Sequence, residues 1–128
     1  MTHYHVCVWI DHREARIFGV GLEETDSEVA ANVHAAHHIH RKANQVGLGT
    51  DVLDHGFLAE VAALLEPAKA ILIAGPGKAK TELASYLNEH LPDVAKNVWG
   101  VEAMDHPSDG QLVAAARTYF KAADRMHS

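Results

Sequence analysis

Apolar residues repeat with period two early in the chain and with helical spacing later. His5–Ile10 alternates with apolar side chains on both faces, Val6, Val8 and Ile10 on one and Cys7 and Trp9 on the other. That pattern predicts a strand covered on both sides. Asp11, His12 and Arg13 make a polar turn too short for a crossover helix, so the apolar run 15–20 is predicted to pair antiparallel with the first strand. Residues 21–27 are acidic and turn-like. In 28–34, Val29, Ala31 and Val33 alternate with Glu28, Asn32 and His34, which predicts a third strand with one wet face at the sheet edge. Leu53, Phe57, Val61, Leu64 and Leu65 then recur at helical spacing up to Pro67.

A strand over 70–74 follows, then a helix carrying Leu83, Leu87 and Leu91 that Pro92 is expected to end. A fifth strand of apolar character is predicted over 98–104. Ser108 and Gln111 have the spacing of a capping box, opening a last helix with Leu112, Ala116, Tyr119 and Phe120 turned inward. The order β-β-β-α-β-α-β-α predicts an α/β fold: a mixed five-stranded sheet flanked by three helices, its last strands parallel to the first. At 128 residues the whole chain, 1–128, is expected to form one domain.

Composition narrows the functional classes. A formal charge of −6 argues against coating nucleic acid by electrostatics alone and leaves room for a local basic patch. The single cysteine, Cys7, excludes an intrachain disulfide framework and suits a reducing compartment. The first residues lack the pattern of a signal peptide, and no apolar run approaches the ~20 residues that span a bilayer. The expectation is a cytoplasmic protein with no membrane partner.

Three stretches carry candidate chemistry. In 70–83 an apolar run ends in Gly75-Pro76-Gly77, followed by Lys78 and Lys80 at a helix start. The free N–H groups of such a first turn suit an anion, so Gly75, Gly77 and Lys78 are candidate anion-binding residues. The spacing is not that of a P-loop, and a tight strand-to-helix turn would need glycine in any case. The second stretch, 35–50, has no clear periodicity, and loops of that length are often functional. It holds His37, His38, His40, Arg41, Lys42, Asn44 and Gln45, with His34 just before it. Arg41 and Lys42 can pair with phosphates, while Asn44, Gln45 and the imidazoles can meet exposed bases. His38 and His40 would share a side of an extended segment, but no cysteine accompanies them as in common zinc patterns, and no metal or cofactor is expected. Third, the pairs Asp11-His12, Asp54-His55 and Asp105-His106 admit metal-dependent phosphodiester chemistry, with turn and cap roles the simpler explanation. Cys7 lies mid-strand, and Ser85 and Ser108 sit in no nucleophile elbow.

The element order, the run Ile71-Leu72-Ile73-Ala74-Gly75 and the helix start Lys80-Thr81-Glu82-Leu83 resemble the middle domain of archaeal and eukaryotic peptide-chain release factors and of Pelota. The ending, Asp105-His106-Pro107-Ser108-Asp109-Gly110-Gln111-Leu112 through Tyr119-Phe120, is similar to small stand-alone bacterial proteins labelled translational machinery components. The resemblance implies a ribonuclease H-like core. It also implies a translation-associated, non-enzymatic protein whose partner is the ribosome or structured RNA. Where the release factors carry Gly-Gly-Gln after the third strand, this chain reads Ala43-Asn44-Gln45, so peptidyl-tRNA hydrolysis is not expected. Two alternatives stand beside this expectation. One is a metal-dependent hydrolase or nuclease using Asp11, Asp105 and nearby histidines. The other is a protein-interaction module, such as a homodimer through the edge at 28–34.

Overall fold

The computed structural model describes residues 4–21, 29–34 and 55–127. Five strands, β1 (His5–Ile10), β2 (Glu14–Gly19), β3 (Val29–His34), β4 (Ala70–Gly75) and β5 (Val98–Ala103), form one sheet in the order β3-β2-β1-β4-β5. The first three pair antiparallel, and β4 and β5 run parallel to β1. The sheet is mixed, as the element order predicts, with β3 at one edge among the described residues. Asp11 makes the β1–β2 turn tight: its Oδ1 accepts the backbone N–H groups of Arg13 (2.8 Å) and Glu14 (2.9 Å). Such an aspartate supplies locally the acceptor a sharp turn requires.

Alternation along the strands builds two cores. On one face Val6, Val8, Ile10, Ile71 and Ile73 pack under α1 (His55–Leu65), α2 (Ala79–His90) and the short α3 (Pro92–Ala95), which contribute Phe57, Val61, Leu65, Leu83, Leu87 and Val94. On the other, Cys7, Trp9, Leu72 and Ala74 meet Leu112, Val113, Ala116 and Phe120 of α4 (Asp109–His127). β1 and β4 are apolar on both faces because both are covered.

One expectation needs correction: three helices are expected, the second of them ended by Pro92. The helix stops at His90, and Pro92 opens α3, a fourth helix, where its missing N–H costs nothing at a first-turn position. The strand expected over 98–104 is present as β5, and its second half, Val101 to Ala103, is exposed. As the strand at the end of the sheet order, β5 has a neighbour on one side only among the described residues. The Ser108–Gln111 capping box is present and reciprocal: the Ser108 N–H donates to Gln111 Oε1 (3.0 Å) and the Gln111 N–H to Ser108 Oγ (3.2 Å).

Candidate functional site

From β1 the chain turns back sideways into β2, whereas from β4 it passes through α2 to β5 on the opposite side. Connections that part in this way leave a crevice at the carboxyl ends of the two strands, a common ligand position in open α/β sheets. Here the crevice gathers Asp11 and His12, the turn Gly75-Pro76-Gly77-Lys78, and the β5–α4 connection with Asp105 and His106.

The connection folds back past the end of β4 to reach β1. Trp9, fully buried, donates its indole N–H to the carbonyls of Asp105 (2.8 Å) and Met104 (3.2 Å). The His106 ring lies 5.1 Å from the Trp9 ring, its Nδ1 3.0 Å from Asp105 Oδ1 and its Nε2 3.7 Å from Asp11 Oδ2. Arg16 stacks its guanidinium over Trp9 (4.5 Å), pairs with Asp109 and donates to the Pro107 carbonyl (3.1 Å). Asp11 and Asp105, separated by the width of β4, thus meet through one imidazole. Their carboxylates fasten a turn and a connection. Among the described residues, no group of three His, Cys, Asp or Glu is arranged to hold a metal ion.

The glycine turn has a backbone explanation. A Cβ on Gly75, at φ +150°, would stand 2.1 Å from the Ile10 carbonyl oxygen, and Gly77 adopts φ +63°. Lys78 stands at the N-cap of α2 with no side-chain cap, and Lys80 Nζ donates to the Gly77 carbonyl. Glu82 shares that first turn, its carboxylate 3.6 Å from His12 Nε2, so the helix start already carries a negative charge. Beside it, a groove of about 530 Å³ is lined by Lys78 at the N-cap, by Glu82 and Tyr86 of α2, and by His55 and Leu58 of α1.

Cys7 is no nucleophile: burial pushes its thiol pKa up to about 12, against a smaller opposing pull from Arg16. Of the histidine cluster, His34 is described. It is exposed, on an edge strand, with Nδ1 4.0 Å from Glu14 Oε1 on the neighbouring strand. His37, His38, His40, Arg41, Lys42, Asn44 and Gln45 lie outside the described residues, as does Asp54.

Neither a family profile nor a curated protein sequence matches the chain. Solved structures do. Pelota from Archaeoglobus fulgidus superposes with a TM-score of 0.59 at 20% identity, over 96% of this chain and 36% of its own. The chain has the fold found in Pelota. The Thermoplasma acidophilum Pelota matches 84% of the chain with a TM-score of 0.58 at 19% identity, and the archaeal termination factor aRF1 matches 96% with 0.56 at 17%. Saccharomyces cerevisiae Dom34, a translation termination-like factor involved in RNA quality control and interacting with Hbs1, matches 96% with 0.53 at 11%. This chain spans 30 to 39% of the length of these proteins. The resemblance read from the sequence therefore holds at the level of fold.

The fastening by Trp9 and Arg16 escapes sequence reasoning, because its partners lie more than ninety positions away. The one signal is Arg16 itself, a cation inside the otherwise apolar run 15–20.

Proposed function

We propose that this protein acts in translation as a non-enzymatic RNA- or ribosome-binding factor. The observation that carries the proposal is the fold shared with Pelota, Dom34 and aRF1 over 84 to 96% of the chain. A fold alone does not fix a function. The second support is the composition of the segment between β3 and α1. His37, His38 and His40 with Arg41 and Lys42 offer cations and flat rings, and Asn44 and Gln45 add amide donors and acceptors, the groups that phosphates and unpaired bases engage. Lys78, beside Gly75 and Gly77 at the start of α2, offers a further cation there, in the same turn as Glu82.

A binding role also accords with the crevice. Asp11 spends one carboxylate oxygen on two backbone N–H groups and holds the other near His106, and Asp105 is turned to the same ring.

Co-sedimentation of the untagged protein with ribosomes, at low and moderate salt, tests the proposal. The expected result is association that weakens with salt and falls at least fivefold in Arg41→Ala/Lys42→Ala, since each phosphate contact contributes to a salt-dependent affinity. Protein left at the top of every gradient would remove the translation role.

A further inference from the structure

The end of the sheet opposite the crevice carries a cluster of rings. His5 opens β1, Trp99 lies one residue into β5, and the second half of α4 brings Tyr119 and Phe120. The His5 ring lies 4.6 Å from Tyr4, 4.8 Å from Phe120 and 5.9 Å from Trp99, and Phe120 lies 6.0 Å from Trp99 and 5.6 Å from Tyr119. Phe120 is fully buried and forms the base; Trp99 and Tyr119 are partly exposed, and Tyr4 is 56% exposed.

The backbone is adjusted to this arrangement. The β4–β5 register passes from Ile71 opposite Val98 to Leu72 opposite Gly100, leaving Trp99 as the extra residue of a bulge. Bulges re-aim a side chain and recur beside functional sites. The Trp99 carbonyl accepts the Tyr119 hydroxyl at 2.8 Å, and a Cβ on Gly100 would stand 2.2 Å from that oxygen. The rings are therefore held by fixed contacts.

Basic residues lie close in the chain to these rings or to the strands that carry them. The Lys69 N–H donates to the Tyr4 carbonyl (3.0 Å), Lys96 precedes Trp99 by three residues, and Lys121 follows Phe120. Arg117 Nε donates to the Gly21 carbonyl (2.8 Å), beside Val20, whose N–H donates to the His5 carbonyl. Acids are nearby too: Asp93 lies 4.0 Å from Lys96 Nζ, Glu66 ends the turn after α1, and Glu102 neighbours Tyr119. The opposite end of the sheet collects Asp11, Glu14, Glu82, Asp105 and Asp109 against Arg13, Arg16, Lys78 and Lys80. A polyanion is thus better received at the ring end, by a small margin of charge, so stacking must supply most of its affinity.

We infer that the patch formed by Tyr4, His5, Trp99 and Tyr119 is a stacking surface for unpaired bases of single-stranded RNA, with Lys69, Lys96 and Lys121 within reach of its phosphates. The inference rests on the RNA-binding proposal and adds to it a surface formed by described residues. Aromatic rings with polar tips suit bases, which offer a π-face whatever the sequence. A protein-docking patch would bring aliphatic side chains, and the exposed aliphatics Leu64 and Val101 lie outside the ring cluster.

The test is a titration of the full 128-residue protein with a ten-nucleotide oligo(A) RNA, followed by tryptophan emission. Trp9 is fully buried, which leaves Trp99 as the reporter. Saturable quenching is expected, with affinity at least fivefold weaker in Tyr4→Ala, because one stacked base is worth roughly 5- to 150-fold. Lys69→Gln/Lys121→Gln should weaken binding and flatten its salt dependence; both variants alter exposed side chains and leave the cores intact. No saturable quenching, or wild-type affinity in both variants, would overturn the inference. Arg41→Ala/Lys42→Ala separates the two proposals. If it alone weakens RNA or ribosome binding, segment 37–49 is the contact and the ring patch is not. If Tyr4→Ala loses ribosomes while the wild type binds no oligonucleotide, the patch serves a protein partner and the RNA assignment falls. A wild type that binds neither ribosomes nor oligonucleotide removes both proposals.

Discussion

At Gly75 a hydrogen in place of a side chain lets the end of β4 lie against the backbone of β1. A methyl group there would stand 2.1 Å from the Ile10 carbonyl oxygen on a backbone at φ +150°. Gly75→Ala is therefore expected to cost about 3 kcal/mol or more, combining overpacking with an unfavourable φ. Gly77 has a positive φ and nothing within 4 Å of the added Cβ, so Gly77→Ala should cost only about 1 kcal/mol. Urea midpoints of the two variants measure the contrast, and equal losses would refute it. The sequence shows a glycine-rich turn but not which glycine is held by a neighbour, because that neighbour is a backbone atom 65 positions away in a strand paired through the fold.

Cys7 gives a second prediction at this scale. Its folded thiol, with its pKa pushed up to about 12, keeps a proton that the unfolded chain releases near the ordinary value of 9.0. Above pH 9 the unfolded state binds fewer protons than the folded state, so stability falls as pH rises between 9 and 12. One group contributes up to about 1.4 kcal/mol per pH unit. Tyr119, raised mainly by burial and further by Glu102, adds a loss of the same sign. Chemical denaturation at pH 8 and pH 10 should show a decline that Cys7→Ala reduces; an unchanged decline would assign it to Tyr119 and other groups.

Elements whose signals are local were legible in advance. The capping box at Ser108 and Gln111 is four residues of sequence and closes as written, so Ser108→Ala should cost about 1 kcal/mol by thermal unfolding. What fastens the β5–α4 connection was not legible, because the indole of Trp9 and the guanidinium of Arg16 come from the first hairpin. Trp9→Phe keeps a ring in the core and loses the donor to two carbonyls; a loss of about 2 kcal/mol is expected from the missing volume and the unpaired acceptors together. Amide exchange in 104–108 would rise with it, whereas exchange confined to its old rate would show that the indole N–H does not hold the connection. The exposure of the second half of β5 is likewise outside what periodicity reports: it shows which residues could be buried, and only strand order decides whether a neighbour exists to bury them.

For the molecule as a whole, period and turn length carried the reading far. The short Asp11–Arg13 turn forced an antiparallel pair and the intervening helices allowed the parallel strands, which gives the mixed sheet; the spatial order β3-β2-β1-β4-β5 was not read from the sequence. Asp11 and Asp105, as strand ends, could be read as approaching one rim of the sheet; their meeting at the His106 ring could not, since it depends on the connection after β5 doubling back. The candidate RNA residues of 37–49 rest on composition alone, because they lie outside the described residues.

Among the described residues, α4 alone covers the face made by Cys7, Trp9, Leu72 and Ala74, and it comes last of the elements in chain order. Synthesis proceeds from the amino terminus, so every strand of the sheet has emerged before Leu112 and Phe120 can reach that face. During this interval a nascent chain exposes a broad apolar surface around Trp9. That surface would be open to chaperones or to another nascent copy on the same message. The order of the elements thus opens an interval during synthesis, after the strands and before α4, in which this face is exposed to aggregation.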